Sequence, residues 1–170
     1  DRYLKNVVYY YNFPINYIND EVEQVSGPIN NITGFKRELN DTFIPILNNL
    51  MDSNTDIHQA WAYKTINRNK QETHNRQSFL HKDGDIWTAV KCIIYLCDVD
   101  KDNGPFCYQN NTGEVIPVYG SQGTVIFFKN VFLRHKGSNT LKKERIAASF
   151  TAYPSYRNKV AENDVRPDFI

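Results

Sequence analysis

Apolar residues change their spacing once along this chain, and the change divides it. Between 36 and 51 they recur in steps of three and four, with Phe35, Leu39, Phe43, Ile46, Leu47 and Leu50 on one side. That spacing predicts a helix. Gly34 marks the loop before it, and Pro45 inside it should kink the helix or split it in two. From Ile57 onward the pattern becomes short β-branched and aromatic runs. Strands are predicted over 61–66, 86–97, 113–118, 124–128, 131–135 and 144–153, with an earlier one over 7–11 ended by Phe13-Pro14. Asp102-Asn103-Gly104-Pro105 and Tyr119-Gly120-Ser121-Gln122-Gly123 carry turn chemistry. Many short strands at roughly ten-residue spacing predict a sandwich or barrel such as a jelly roll. The expected architecture is mainly β, with a short N-terminal helical segment packed on it.

Composition narrows the function more than the fold. The 170 residues, 41% hydrophobic and 23% charged, suit one globular domain with a real core. We expect one domain over 1–170, with its core at about 57–154. Neither repeat nor low-complexity linker divides it. A net charge of +1 gives no electrostatic footprint for nucleic acid or a membrane surface. No apolar run approaches the ~20 residues that span a bilayer. The opening Asp1-Arg2-Tyr3-Leu4-Lys5 does not resemble a signal peptide. Cys92, Cys97 and Cys107 have no metal-binding spacing, and an odd count leaves one unpaired. Read as reduced thiols, they predict a cytoplasmic location.

The candidate chemistry lies in the β half. His81 and Asp83 are two apart, so an extended backbone projects both side chains to one face. His135 ends a later strand-like run, and Arg145 opens the last. Two histidines and one carboxylate form the facial triad of non-haem Fe(II) oxygenases. Three protein ligands leave three octahedral positions. A bidentate 2-oxo acid takes two and O2 the third. A cation must then hold the far carboxylate of 2-oxoglutarate, and the planar fork of Arg145 suits it.

Trp61 and Trp87 are expected in the core, His58 and His74 in structural or exposed positions, and 70–76 in a loop. Arg134 and Lys136 should face away from His135, as Lys82 should from its neighbours. A non-catalytic jelly-roll binding module is the competing reading. It predicts that His81, Asp83 and His135 lie too far apart to share an ion.

Residues 77–154 resemble the Fe(II)/2-oxoglutarate-dependent oxygenases, most closely their phytanoyl-CoA dioxygenase-like group. The resemblance rests on His81-Lys82-Asp83, Ile94-Tyr95-Leu96-Cys97-Asp98-Val99, Asn103-Gly104-Pro105-Phe106, Gly123-Thr124-Val125-Ile126-Phe127-Phe128 and Ala152-Tyr153-Pro154. Its most specific part is His135-Lys136-Gly137-Ser138-Asn139-Thr140 running to Arg145. The resemblance implies a double-stranded β-helix with Fe(II) on His81, Asp83 and His135, and 2-oxoglutarate on Arg145. It also implies a co-substrate hydrogen bond from Tyr95, as in related prolyl hydroxylases, and another from Ser149. Asp83 stands where halogenating relatives lose the carboxylate, which implies hydroxylation with release of succinate and CO2. The implied substrate is a small molecule, with a peptidyl-prolyl substrate as the alternative.

Overall fold

The computed structural model describes residues 15–17, 22–28, 37–67, 79–138, 140 and 142–155. The strand expected over 7–11, Gly34, His74 and the loop expected over 70–76 lie outside them. Among the described residues, strands β1 (Ile15–Tyr17), β2 (Val22–Pro28) and β3 (Thr55–Asn67) are followed by β4 (Val90–Tyr95), β5 (Phe106–Gln109) and β6 (Val115–Val118). Then come β7 (Val125–Phe128), β8 (His135–Gly137) and β9 (Arg145–Pro154). A six-stranded sheet has the order β1-β2-β3-β9-β4-β7, and a three-stranded sheet the order β6-β5-β8. Every pairing is antiparallel. The molecule is a jelly roll, as the strand spacing predicts.

Alternation along the central strands creates two packed layers. On β4, Val90, Cys92 and Ile94 turn outward with Ala148, Phe150 and Ala152 of β9. There they meet Leu39, Phe43 and Leu47 of the helical segment. The alanines of β9, and Ala60 and Ala62 of β3, leave room for the helix to approach. Phe43 fills that room, edge-on to Phe150 at 5.4 Å. On the opposite face, Ile93, Tyr95 and Ala147 point into the barrel, where Phe106 of β5 and Val118 of β6 close over them.

The helical run is divided at Pro45, as expected. A wide π-helical turn covers Leu39–Phe43, and α1 runs from Ile44 to Met51. Pro45 sits in the first turn of α1, directly after the π-helical turn, so its missing N–H falls where the hydrogen-bond register changes. Asp52 ends α1 with φ at 48°, a left-handed cap.

Some boundaries differ from the expectation. The strand expected from 86 starts at Val90, because Ala89 N–H bonds Ile86 O at 2.9 Å and closes a turn. The run 131–135 is mostly turn: the N–H groups of Phe132 and Leu133 both bond Lys129 O. His135 therefore begins a strand instead of ending one. The strands β2 and β5 were not anticipated. β2 carries Glu23, Gln24, Ser26, Gly27 and Pro28, a polar and turn-rich composition, and β5 is only four residues long, too short to stand out from the loops around it. Neither tryptophan is core: Trp61 is 39% exposed and Trp87 62%. All three cysteines are free thiols. No helix among the described residues is long and apolar enough to cross a membrane.

Candidate active site

His81 and His135 face each other across an antiparallel bridge with reciprocal N–H···O bonds of 2.9 Å. The bridge brings their rings to 4.6 Å between centroids, tilted 52° to each other. Each Nδ1 lies against the carbonyl two residues earlier, Phe79 O at 2.8 Å and Leu133 O at 2.9 Å. A carbonyl accepts only, so Nδ1 carries the proton in both rings. That leaves each Nε2 with a free lone pair. Asp83 sits beyond His81 in a loop, where its N–H donates to Asn130 O at 3.1 Å. Its Oδ1 lies 3.5 Å from His81 Nε2 and its Oδ2 3.6 Å from His135 Nε2. The three donor atoms lie within 4.8 Å of one another, a span one metal ion can bridge. The binding-module reading expected them apart.

The electrostatics favour ligating forms. Burial pushes the Asp83 carboxyl up, but the Lys91 hydrogen bond and charge, with Asn130 and His135, outweigh it. The group is held below the ordinary carboxylate value. Burial holds the His135 imidazole below its ordinary value, against the Leu133 hydrogen bond and Asp83. At neutral pH the site therefore presents an anionic oxygen and an unprotonated nitrogen.

The donors open into a cavity of about 420 Å³ that also receives Arg145, Tyr95, Ser149 and Trp61. Arg145 is only 6% exposed. Its Nη1 donates to Gly104 O, and its guanidinium lies 5.9 Å from the centre of the Tyr63 ring. Its Nε is buried with no partner, and no carboxylate of the described residues pairs with it. A buried cation without an anion is costly. Among the described residues, the Nε of Arg145 is left without an acceptor. Gly137 makes the space: a Cβ there would stand 3.1 Å from Arg145 Nη2.

Ser149 lies two places beyond Ala147 on the barrel face of β9, the face that carries Arg145. The ring of Tyr95 borders the cavity, but its hydroxyl is spoken for. It donates to Val118 O at 2.8 Å and accepts from Phe106 N at 3.0 Å. Its one proton is directed to Val118 O. Burial pushes this hydroxyl up to about 12. Lys82 borders the cavity, and Arg134 turns to Gln109 at 3.3 Å.

Two residues of the site escaped the sequence reading. Lys91 Nζ donates to Asp83 Oδ2 at 2.7 Å. Asn130, fully buried, donates to the same oxygen at 3.1 Å and also to Asp85. A lone lysine in the apolar strand Val-Lys-Cys-Ile-Ile-Tyr was the available signal for the first. Asn130 gave none, lost in an asparagine-rich chain.

No family model matches the sequence, and no curated protein matches it. Solved structures do. EctD from S. alaskensis, solved with bound Fe, is 15% identical with a TM-score of 0.60, over 77% of this chain and 56% of its own. This chain thus spans little more than half of EctD. HygX from Streptomyces hygroscopicus, with nickel and 2-oxoglutarate bound, is 12% identical with a TM-score of 0.61, over 91% and 78%. An oxidoreductase of the 2OG-Fe(II) oxygenase family from Burkholderia pseudomallei is 12% identical with a TM-score of 0.64, over 88% and 77%. The fold is therefore the jelly roll that these structures share.

Proposed function

We propose that this chain is an Fe(II)- and 2-oxoglutarate-dependent dioxygenase that hydroxylates an unactivated C–H bond of a small molecule. One observation carries the reading. Three convergent metal donors and a buried arginine with an unpartnered Nε open into the same cavity. A metal site alone would not need the arginine, and a structural arginine would have its anion.

His81 and His135 would hold Fe(II) through Nε2, and Asp83 through its carboxylate. The Phe79 and Leu133 carbonyls fix both rings in the ligating tautomer. Arg145 would take the far carboxylate of 2-oxoglutarate, oriented by Gly104 O and Tyr63. Ser149 would offer its hydroxyl to the same carboxylate. Tyr95 would act through packing, fixing β5 and β6 over the barrel. Bound Fe(II), 2-oxoglutarate and O2 would supply the oxidising chemistry, with succinate and CO2 as co-products. The apolar walls Ile93, Phe106 and Phe128 would keep water from the reacting centre.

A small-molecule substrate suits a cavity of about 420 Å³, which falls in the range typical of small-ligand sites. It also accords with two similar structures: HygX was solved with hygromycin B and EctD with 5-hydroxyectoine. The test is succinate release from 2-oxoglutarate by the Fe(II)-loaded protein across a small-molecule panel. Release stimulated by a panel member and lost in His135→Ala supports the reading. Release no faster in the native protein than in His135→Ala rejects it.

A further inference from the structure

Two donors converge on one oxygen of the Asp83 carboxylate. A carboxylate offers about four lone-pair sites, two on each oxygen. Oδ2 of Asp83 accepts from Lys91 Nζ at 2.7 Å and from Asn130 Nδ2 at 3.1 Å, which fills it. Among the described residues no hydrogen bond reaches Oδ1, which faces His81 Nε2 at 3.5 Å.

The donors cannot easily turn away. Asn130 is fully buried, and its amide nitrogen is shared between Asp83 and Asp85. Turning the amide over would set its oxygen against both carboxylates. Asp85 is held in turn by the Tyr153 hydroxyl at 3.1 Å, from the end of β9. Lys91 projects from β4, which is paired on both sides, with β7 and β9.

We propose that Lys91 and Asn130 are positioning residues that restrict Asp83 to a single oxygen, Oδ1, toward a bound metal. The proposal rests on the metal-centre reading above and deepens it. A carboxylate using both oxygens would occupy one of the positions a two-point co-substrate needs. The clamp on Oδ2 keeps that position open before the co-substrate arrives. If the two residues merely satisfied a buried carboxylate, their loss would lower stability without changing the coordination.

Co(II) reads this directly, because its visible d–d spectrum reports coordination number. The folded wild type, Lys91→Met, Lys91→Arg and Asn130→Leu proteins are loaded with Co(II) without 2-oxoglutarate, and 2-oxoglutarate is then titrated in. Lys91→Arg, which restores a donor, should keep the wild-type spectrum. Lys91→Met and Asn130→Leu should show a changed spectrum, retain Co(II), and bind 2-oxoglutarate about tenfold more weakly. Asn130→Leu changes no charge, so its loss is not simple Coulomb attraction. If it does not fold, Asn130→Ser takes its place. Spectra of the folded variants that superimpose on wild type overturn the proposal. So does an equal loss of Co(II) and 2-oxoglutarate affinity. A wild-type protein that takes up no Co(II) overturns the metal-centre reading itself, and this one with it.

Discussion

Arg145 is the residue that separates the site's two proposed halves, the metal donors and the co-substrate anchor. Its guanidinium is buried, its Nη1 is fixed on Gly104 O, and its Nε faces no acceptor. Arg145→Leu removes the anion anchor but leaves the metal donors untouched. It should weaken 2-oxoglutarate binding about 10–100-fold while Fe(II) affinity stays within about threefold, both read by anaerobic titration. Equal losses of the two would contradict the assignment. Acid acts at the same scale. His135 is held below its ordinary value, so the unfolded chain takes up a proton first as pH falls, and folding loses stability. Asp83 is also held below its ordinary value, so its contribution, present at neutral pH, is lost as pH falls through the folded value. Both signs agree. The melting temperature of the metal-free protein should fall from pH 7 to pH 4 through His135 and fall further below about pH 4 through Asp83, and a rise over either range would contradict it. His81, Asp83, His135 and Arg145 were legible because their chemistry demands particular side chains in a recognisable order. Lys91 and Asn130 were not. Lys91 lies on β4, eight residues from Asp83, and the bond from Asn130 to Asp83 crosses the fold, so neither leaves a local pattern in the sequence.

Elements explain why the site holds its shape. β8 is only three residues long, yet it carries His135 and Gly137 on the barrel face. Gly137→Ala puts a Cβ 3.1 Å from Arg145 Nη2, so the guanidinium must shift by a few tenths of an ångström. The expected result is weaker 2-oxoglutarate binding with little change in melting temperature, checked by titration and by thermal denaturation. Unchanged 2-oxoglutarate affinity would mean that the guanidinium does not need that space. The start of β8 was misjudged from sequence for a physical reason. Val131, Phe132 and Leu133 have strand composition, but bonds back to Lys129 O curl them into a turn. β5 was hidden by its length of four residues. Phe-Cys-Tyr-Gln owes its conformation to pairing with β6 and β8. Pro45, by contrast, was legible, because a missing N–H constrains any helix.

At the scale of the whole molecule, one sheet serves two interiors. Its outer face is sealed by Leu39, Phe43 and Leu47, and its inner face lines the candidate active site. Leu47 is fully buried in the outer layer. Leu47→Ala should cost about 2–5 kcal/mol in urea unfolding and leave the Fe(II) affinity of the folded protein unchanged. A loss under 1 kcal/mol would show that the helical segment is not what seals the sheet. The central claim is that the inner layer assembles an Fe(II) and 2-oxoglutarate centre. Anaerobic titration of the metal-free protein with both, followed by visible absorption, tests it most directly. The account predicts a metal-to-ligand charge-transfer band that requires both additions, is lost in His135→Ala and is weakened in Arg145→Leu. A folded protein that gives no band with Fe(II) and 2-oxoglutarate together would contradict it.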